Sequence, residues 1–111
     1  MSLIVVSDAD LSQATFAREW VGGDVPACVI FVDASPGERV HLHRHPYAEL
    51  FFVLEGTATF EDGERTIEVS APAFVVVPAG QPHCFSNRAD VQLRQIDVHL
   101  NGTFDTEWLE D

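Results

Sequence analysis

The stretch Gly37–Gly56, GERVHLHRHPYAELFFVLEG, decides how the rest of the chain is read. Three histidines alternate in it, at His41, His43 and His45, and the carboxylate Glu49 follows. In an extended strand, residues two apart point to the same face. The imidazoles of His43 and His45 are therefore expected side by side. Pro46-Tyr47-Ala48 reads as a turn, because proline presets one dihedral and cannot donate to a ladder. Leu50–Leu54 then reads as a second strand running back antiparallel, with Glu49 at its start beside the paired histidines. Two neutral nitrogens and one carboxylate oxygen on one wall make half of a metal site.

Outward from this stretch the pattern is strand after strand. Cys28–Ala34 is apolar and β-branched and is stopped by Ser35-Pro36-Gly37. Thr57–Glu61 and Arg65–Val69 flank Asp62-Gly63-Glu64, a hairpin signal. Phe74–Val77 reads as a buried run between Pro72 and Pro78, Pro82–Ser86 as a short strand, and Val91–Leu100 as a long alternating one. Turns at short, even spacing argue for an all-β sandwich or barrel. Residues 1–26 read as a lead-in, with a short edge strand over Leu3–Val6 and a brief helical turn over Leu11–Trp20. Residues 27–111 carry the barrel. The chain is expected to be a single domain of 111 residues, 46% of them hydrophobic.

Composition narrows the function classes. Eighteen Asp and Glu stand against six basic residues, all arginine, for a formal net charge of −12. Nucleic acid and anionic lipid bind through excess Lys and Arg, so neither is expected as a partner. No apolar run approaches a bilayer span, and Leu3–Val6 lacks the length and basic flank of a signal peptide, so a cytoplasmic location is expected. Two cysteines, Cys28 and Cys84, are too few for a disulfide framework.

A second segment, Pro78–Asn87, carries a further histidine, His83, and at this point the chain resembles the cupin superfamily. Gly37, His43, His45, Glu49 and Gly56 match its first motif at every specified position. Pro78, Gly80, His83 and Asn87 match the second, with Pro72 where a glycine is expected. The resemblance covers roughly residues 30–100 and implies a small jelly-roll β-barrel with a metal inside. It implies His43, His45, Glu49 and His83 as ligands, and commonly a homodimer, for which the apolar first strand and the Trp108 tail offer surface. One divalent transition metal per chain is expected, since three imidazoles and a carboxylate suit Fe, Mn, Ni, Cu or Zn. Four protein ligands leave about two positions open on a six-coordinate ion.

The neighbours sort by alternation. Phe85 and Asn87 share the face of His83, and Phe51 and Val53 that of Glu49, which suits a small, largely apolar or aromatic ligand. Cys84 and Arg44 face away, Arg44 toward an acidic neighbour or a subunit interface. His41 shares the ligand parity, as a fifth ligand, a proton shuttle, or a residue hydrogen-bonded deeper in the barrel. Tyr47 lines the mouth or packs the loop. His99 has no partner identifiable from sequence and reads as structural or surface. The acidic tail, Thr103–Asp111, reads as a solvated terminus or as packing across a strand or a partner subunit. Three functions remain: an oxygenase, which is favoured; a non-redox isomerase, cyclase, lyase or decarboxylase; and a non-catalytic small-ligand-binding module.

Overall fold

A computed structural model describes residues 2–110. After a 3₁₀ turn at Asp8–Asp10 come eleven strands: β1 (Ser12–Ala14), β2 (Ala17–Val21), β3 (Cys28–Ala34), β4 (His43–Arg44), β5 (Glu49–Glu55), β6 (Thr57–Glu61), β7 (Thr66–Ser70), β8 (Ala73–Val77), β9 (Cys84–Ser86), β10 (Leu93–His99) and β11 (Glu107–Trp108). They form a six-stranded sheet, β1-β2-β3-β10-β5-β8, a three-stranded sheet, β7-β6-β9, and a two-stranded one, β11-β4. The strand pairs are antiparallel. The fold is the all-β jelly roll expected. Among the described residues no helix is long and apolar enough to cross a membrane.

The core lies between the six-stranded and three-stranded sheets. Strand β5 alternates, with Glu49, Phe51 and Val53 buried and Leu50 and Phe52 on the other face. Strand β10 does the same, burying Leu93, Gln95, Asp97 and His99. A period of two sends one set of side chains inward wherever one sheet face is covered. Phe51 meets Phe60 and Phe85 at ring separations of 5.1 and 5.9 Å, both edge-on. Gly56 links β5 to β6 with φ of +82°, where a Cβ would sit 2.5 Å from the carbonyl oxygen of Gln92. Only glycine meets both demands.

Four expectations need correction. The first concerns the opening stretch, whose two strands do not pair. β5 lies between β10 and β8, while β4 pairs with β11. The segment from His45 to Ala48 therefore carries the chain from one sheet to another. The reason is competition for the edges of β5: β8 and β10 offer longer ladders than the two-residue β4 can. The second is the helical turn over Leu11–Trp20, which is instead β1 and β2. Ala17–Val21 pairs with the edge of β3 in full register, because an open edge offers backbone partners that a weakly amphipathic helix does not. The lead-in thus contributes two strands to the main sheet. Third, Leu3–Val6 forms no strand and is exposed. Fourth, Phe74–Val77 is only half buried: Phe74 and Val76 are 61% and 56% exposed on the outer face.

Candidate metal centre

Each candidate ligand is fixed by its backbone. His43 and His83 exchange a reciprocal pair of hydrogen bonds, His43 N–H to His83 carbonyl at 3.0 Å and the return at 2.9 Å. The carbonyl of His45 accepts the Gly80 amide at 2.7 Å. Glu49 opens β5, flanked in register by His99 of β10 and Val77 of β8. His43, His45, Glu49 and His83 are all buried. One ligand atom from each can be chosen so that all lie within 4.8 Å of one another.

The proton inventory shows what this group is built for. Nδ1 of His43 donates to the His41 carbonyl at 2.7 Å, and Nδ1 of His83 to that of Gln81 at 3.0 Å. Nδ1 of His45 donates to the Asp105 carbonyl at 2.8 Å. A neutral imidazole that donates at Nδ1 has a bare lone pair on Nε2. All three Nε2 atoms are therefore acceptors, as are the oxygens of Glu49. Nε2 of His45 and of His83 each lie 3.2 Å from Glu49 Oε1. Acceptors do not hold one another at that distance without a cation or proton between them. Ligands about 2.1 Å from a common ion and at right angles stand about 3 Å apart, so the spacing fits a metal. Backbone carbonyls that fix histidine tautomers are the usual outer support of such sites. These four residues could hold one metal ion.

Burial pulls the pKa of His43 from 6.5 down to about 4, which keeps it a neutral donor. Burial pulls His45 down as well, but the carboxylate of Glu49 beside it and the Asp105 carbonyl outweigh it, and its pKa is raised. Burial raises Glu49, yet the imidazoles of His45, His83 and His99 around it prevail and hold the carboxyl well below its ordinary range. Asp97 goes the other way. Burial first, then the charge of Glu49, push it well above the ordinary value, against a hydrogen bond from Gln95.

A cavity of about 550 Å³ opens over His43, His45 and Glu49, with Phe16, Phe51, Phe85, Phe104 and Trp108 among its walls. Phe51 and Phe85 are inward, as expected, while Val53 sits deeper in the core. His41 lines the cavity outside the four-residue group. Its Nδ1 is buried without a hydrogen-bond partner. Asn87 bonds the carbonyls of Ala34 and Val91 instead and is structural. Arg44 faces out and pairs with Glu107 at 2.9 Å.

Two open sequence readings are resolved here. Of the structural and surface readings of His99, the structural one holds: it is 5% exposed, with Nε2 3.0 Å from Glu49 Oε2. Inward parity on Val91–Leu100 was the available signal, but only the pairing of β10 with β5, which sets His99 opposite Glu49, supplies the partner. The tail takes the packed reading, across a strand, rather than the solvated one. Glu107–Trp108 pairs with His43–Arg44, and the Trp108 ring lies 5.0 Å from that of His43.

Comparison with known proteins agrees with this picture. The model of the cupin domain matches residues 30–99. Polyketide synthase CurC of Streptomyces cyaneus is 38% identical over 67 residues, 60% of this chain but only 43% of that protein. An uncharacterized conserved Klebsiella pneumoniae protein with a double-stranded β-helix domain superposes with a TM-score of 0.77 at 17% identity, covering 99% of this chain and all of that one. Oxalate decarboxylase from Bacillus subtilis gives 0.79 at 22% identity, covering 94% of this chain and 31% of its own. With the family model spanning well over half of its length, and the fold to match, this chain belongs to the cupin domain family.

Proposed function

We propose that the chain is a mononuclear metal-dependent enzyme, an oxygenase, that acts on a small, largely apolar or aromatic molecule. The observation that carries this is the convergence of four buried donors, three of which (His43, His45 and Glu49) line an aromatic-walled cavity. A divalent ion held there would supply Lewis acidity and exchangeable positions for small ligands. Phe16, Phe51 and Phe85 exclude water and offer ring faces and edges to an aromatic substrate. His41 offers an unpartnered nitrogen to a polar group on it. A polyketide is one candidate substrate class, suggested by the name of the CurC relative.

Elemental analysis of protein purified without added metal identifies the ion. The loaded protein is expected to consume dioxygen with diphenols or related enols. Turnover under strict anaerobiosis with zinc would instead indicate Lewis-acid chemistry. A ligand-dependent melting shift without turnover would indicate a binding module.

A homodimer is the second part of the proposal. Phe31, Ile96, Phe52 and Phe74 form a row across four adjacent strands on the outer face of the large sheet, and a second apolar row runs beside it from Val29 to Val76. None of these side chains is charged, on a chain of net charge −12. A second copy would cover this face without bringing acidic groups together. Sedimentation equilibrium is expected to give a dimer for the wild type and a monomer for Phe74→Glu. A monomeric wild type would remove the proposal.

A further inference from the structure

The two oxygens of Glu49 have different neighbours. Oε1 faces Nε2 of His45 and of His83, and Oε2 lies 3.0 Å from Nε2 of His99. His99 in turn places Nδ1 2.7 Å from the Tyr47 hydroxyl. That hydroxyl oxygen accepts the backbone N–H of Asp105 at 3.2 Å. The order of protons follows from the one end whose chemistry is fixed. The ionised carboxylate of Glu49 only accepts, so the hydrogen between it and His99 sits on Nε2; the Nδ1 of a neutral His99 is then bare, and the Tyr47 hydroxyl, whose oxygen accepts the Asp105 amide, donates to it. A neutral imidazole that accepts at Nδ1 carries its hydrogen on Nε2, and here it donates to Glu49 Oε2. The opposite order would set a bare Nε2 lone pair against a carboxylate oxygen and leave the Tyr47 hydrogen without this acceptor.

We infer that Asp105, Tyr47 and His99 form a directional hydrogen-bond chain that commits Oε2 of Glu49 and presents Oε1 alone to the metal. His99 is a positioning residue, not a fifth ligand. The inference rests on the metal reading of the site. Asp105 acts at both of its backbone groups, since its carbonyl also accepts from Nδ1 of His45. One residue after the last long strand thus orients two of the four donors. Phe104 holds the chain in place, with its ring edge-on to that of His99 at 4.9 Å. Neither Tyr47 nor any residue of this segment belongs to the motifs that identify the ligands.

The test is a titration of metal-free protein with Mn(II), following free ion by electron paramagnetic resonance, with Zn(II) measured by competition. Wild type, His43→Ala, His99→Leu, His99→Gln and Tyr47→Phe are compared, and melting of the metal-free forms reports folding. His99→Leu is expected to weaken binding by about 10–100-fold, the usual effect of losing an outer hydrogen-bond partner. His99→Gln keeps an amide that can donate to Oε2 and accept from Tyr47, and is expected to recover most of that loss. Tyr47→Phe is expected to lose less than His99→Leu, and the spectrum of its bound Mn(II) should change as Glu49 reorients. If His99→Leu or Tyr47→Phe binds as wild type does with an unchanged spectrum, the chain does not position Glu49. If His99→Leu loses metal as completely as His43→Ala, His99 is a ligand and the inference falls. If glutamine rescues no better than leucine, the donor role falls. Should wild type bind neither ion, the metal reading itself fails, and the inference with it.

Discussion

Two segments converge on the candidate metal site. Gly37–Gly56 supplies three of the four candidate donor atoms, from His43, His45 and Glu49. His99–Trp108 supplies none of the four, yet it holds His45 through the Asp105 carbonyl, holds Glu49 through His99, and lays Trp108 beside His43. The difference separates two requirements of a metal site. Donor identity depends on which residue types recur at a given spacing. Donor orientation depends on hydrogen-bond partners, and these arrive from wherever the chain next passes. A motif therefore records the first requirement and is nearly silent on the second.

The sharpest way to break this contrast is His43→Ala, which is expected to abolish stoichiometric metal in elemental analysis. Full metal content in that variant would show that the first segment is not the donor segment. Next in size is Gly56→Ala, at the end of the same segment. A Cβ there meets the Gln92 carbonyl at a positive φ. A loss of roughly 1–3 kcal/mol is expected in denaturant unfolding, since strain of that kind costs this much. An unchanged midpoint would mean the turn relaxes freely.

Asp97→Asn probes the strand that leads into the second segment. The folded pKa of Asp97 is raised, so the folded protein keeps a proton that the unfolded chain releases above about pH 3.8. Stability from the protonated form is complete below that value and is lost as pH rises through the folded value. The asparagine variant escapes the loss. For metal-free protein its unfolding free energy should match wild type near pH 4 and exceed it increasingly toward neutrality, by up to about 1.4 kcal/mol per pH unit. A constant gap across that range would mean Asp97 is ionised in the fold. Smallest is Glu107→Ala. It removes the exposed pair with Arg44, at 2.9 Å, but leaves the Asp105 backbone in place. Metal affinity should be unchanged, because exposed pairs contribute little and the orienting groups are main chain. A marked loss would mean that the tail pairing itself positions the site.

Much of the fold could be read from residue patterns. Strands β3, β5, β6 and β10 follow from alternation and turn residues, and the Asp62-Gly63-Glu64 hairpin links β6 and β7 as read. The errors share a cause. β2 looked like a poor helix because its partner edge, β3, is invisible to a local window. β8 looked buried because an apolar run does not reveal that its outer face is uncovered. β4 and β5 looked like a hairpin because they are adjacent in sequence, while each finds a longer or better-placed partner elsewhere.

The sequence by itself determined the residue types, the motif spacing that brings His43, His45, Glu49 and His83 under suspicion, and the strand periodicity that turns them inward. These are local properties, set by side-chain chemistry and a period of two. Only the tertiary structure decided that Glu49 reaches the histidines across the interior rather than along a hairpin. It also decided that His99 and Tyr47 lie behind Glu49, and that Asp105 orients two donors through its backbone. A carbonyl or an amide has no signature in sequence, since every residue brings the same ones. Which of them faces an imidazole is settled when the sheets close around a common core.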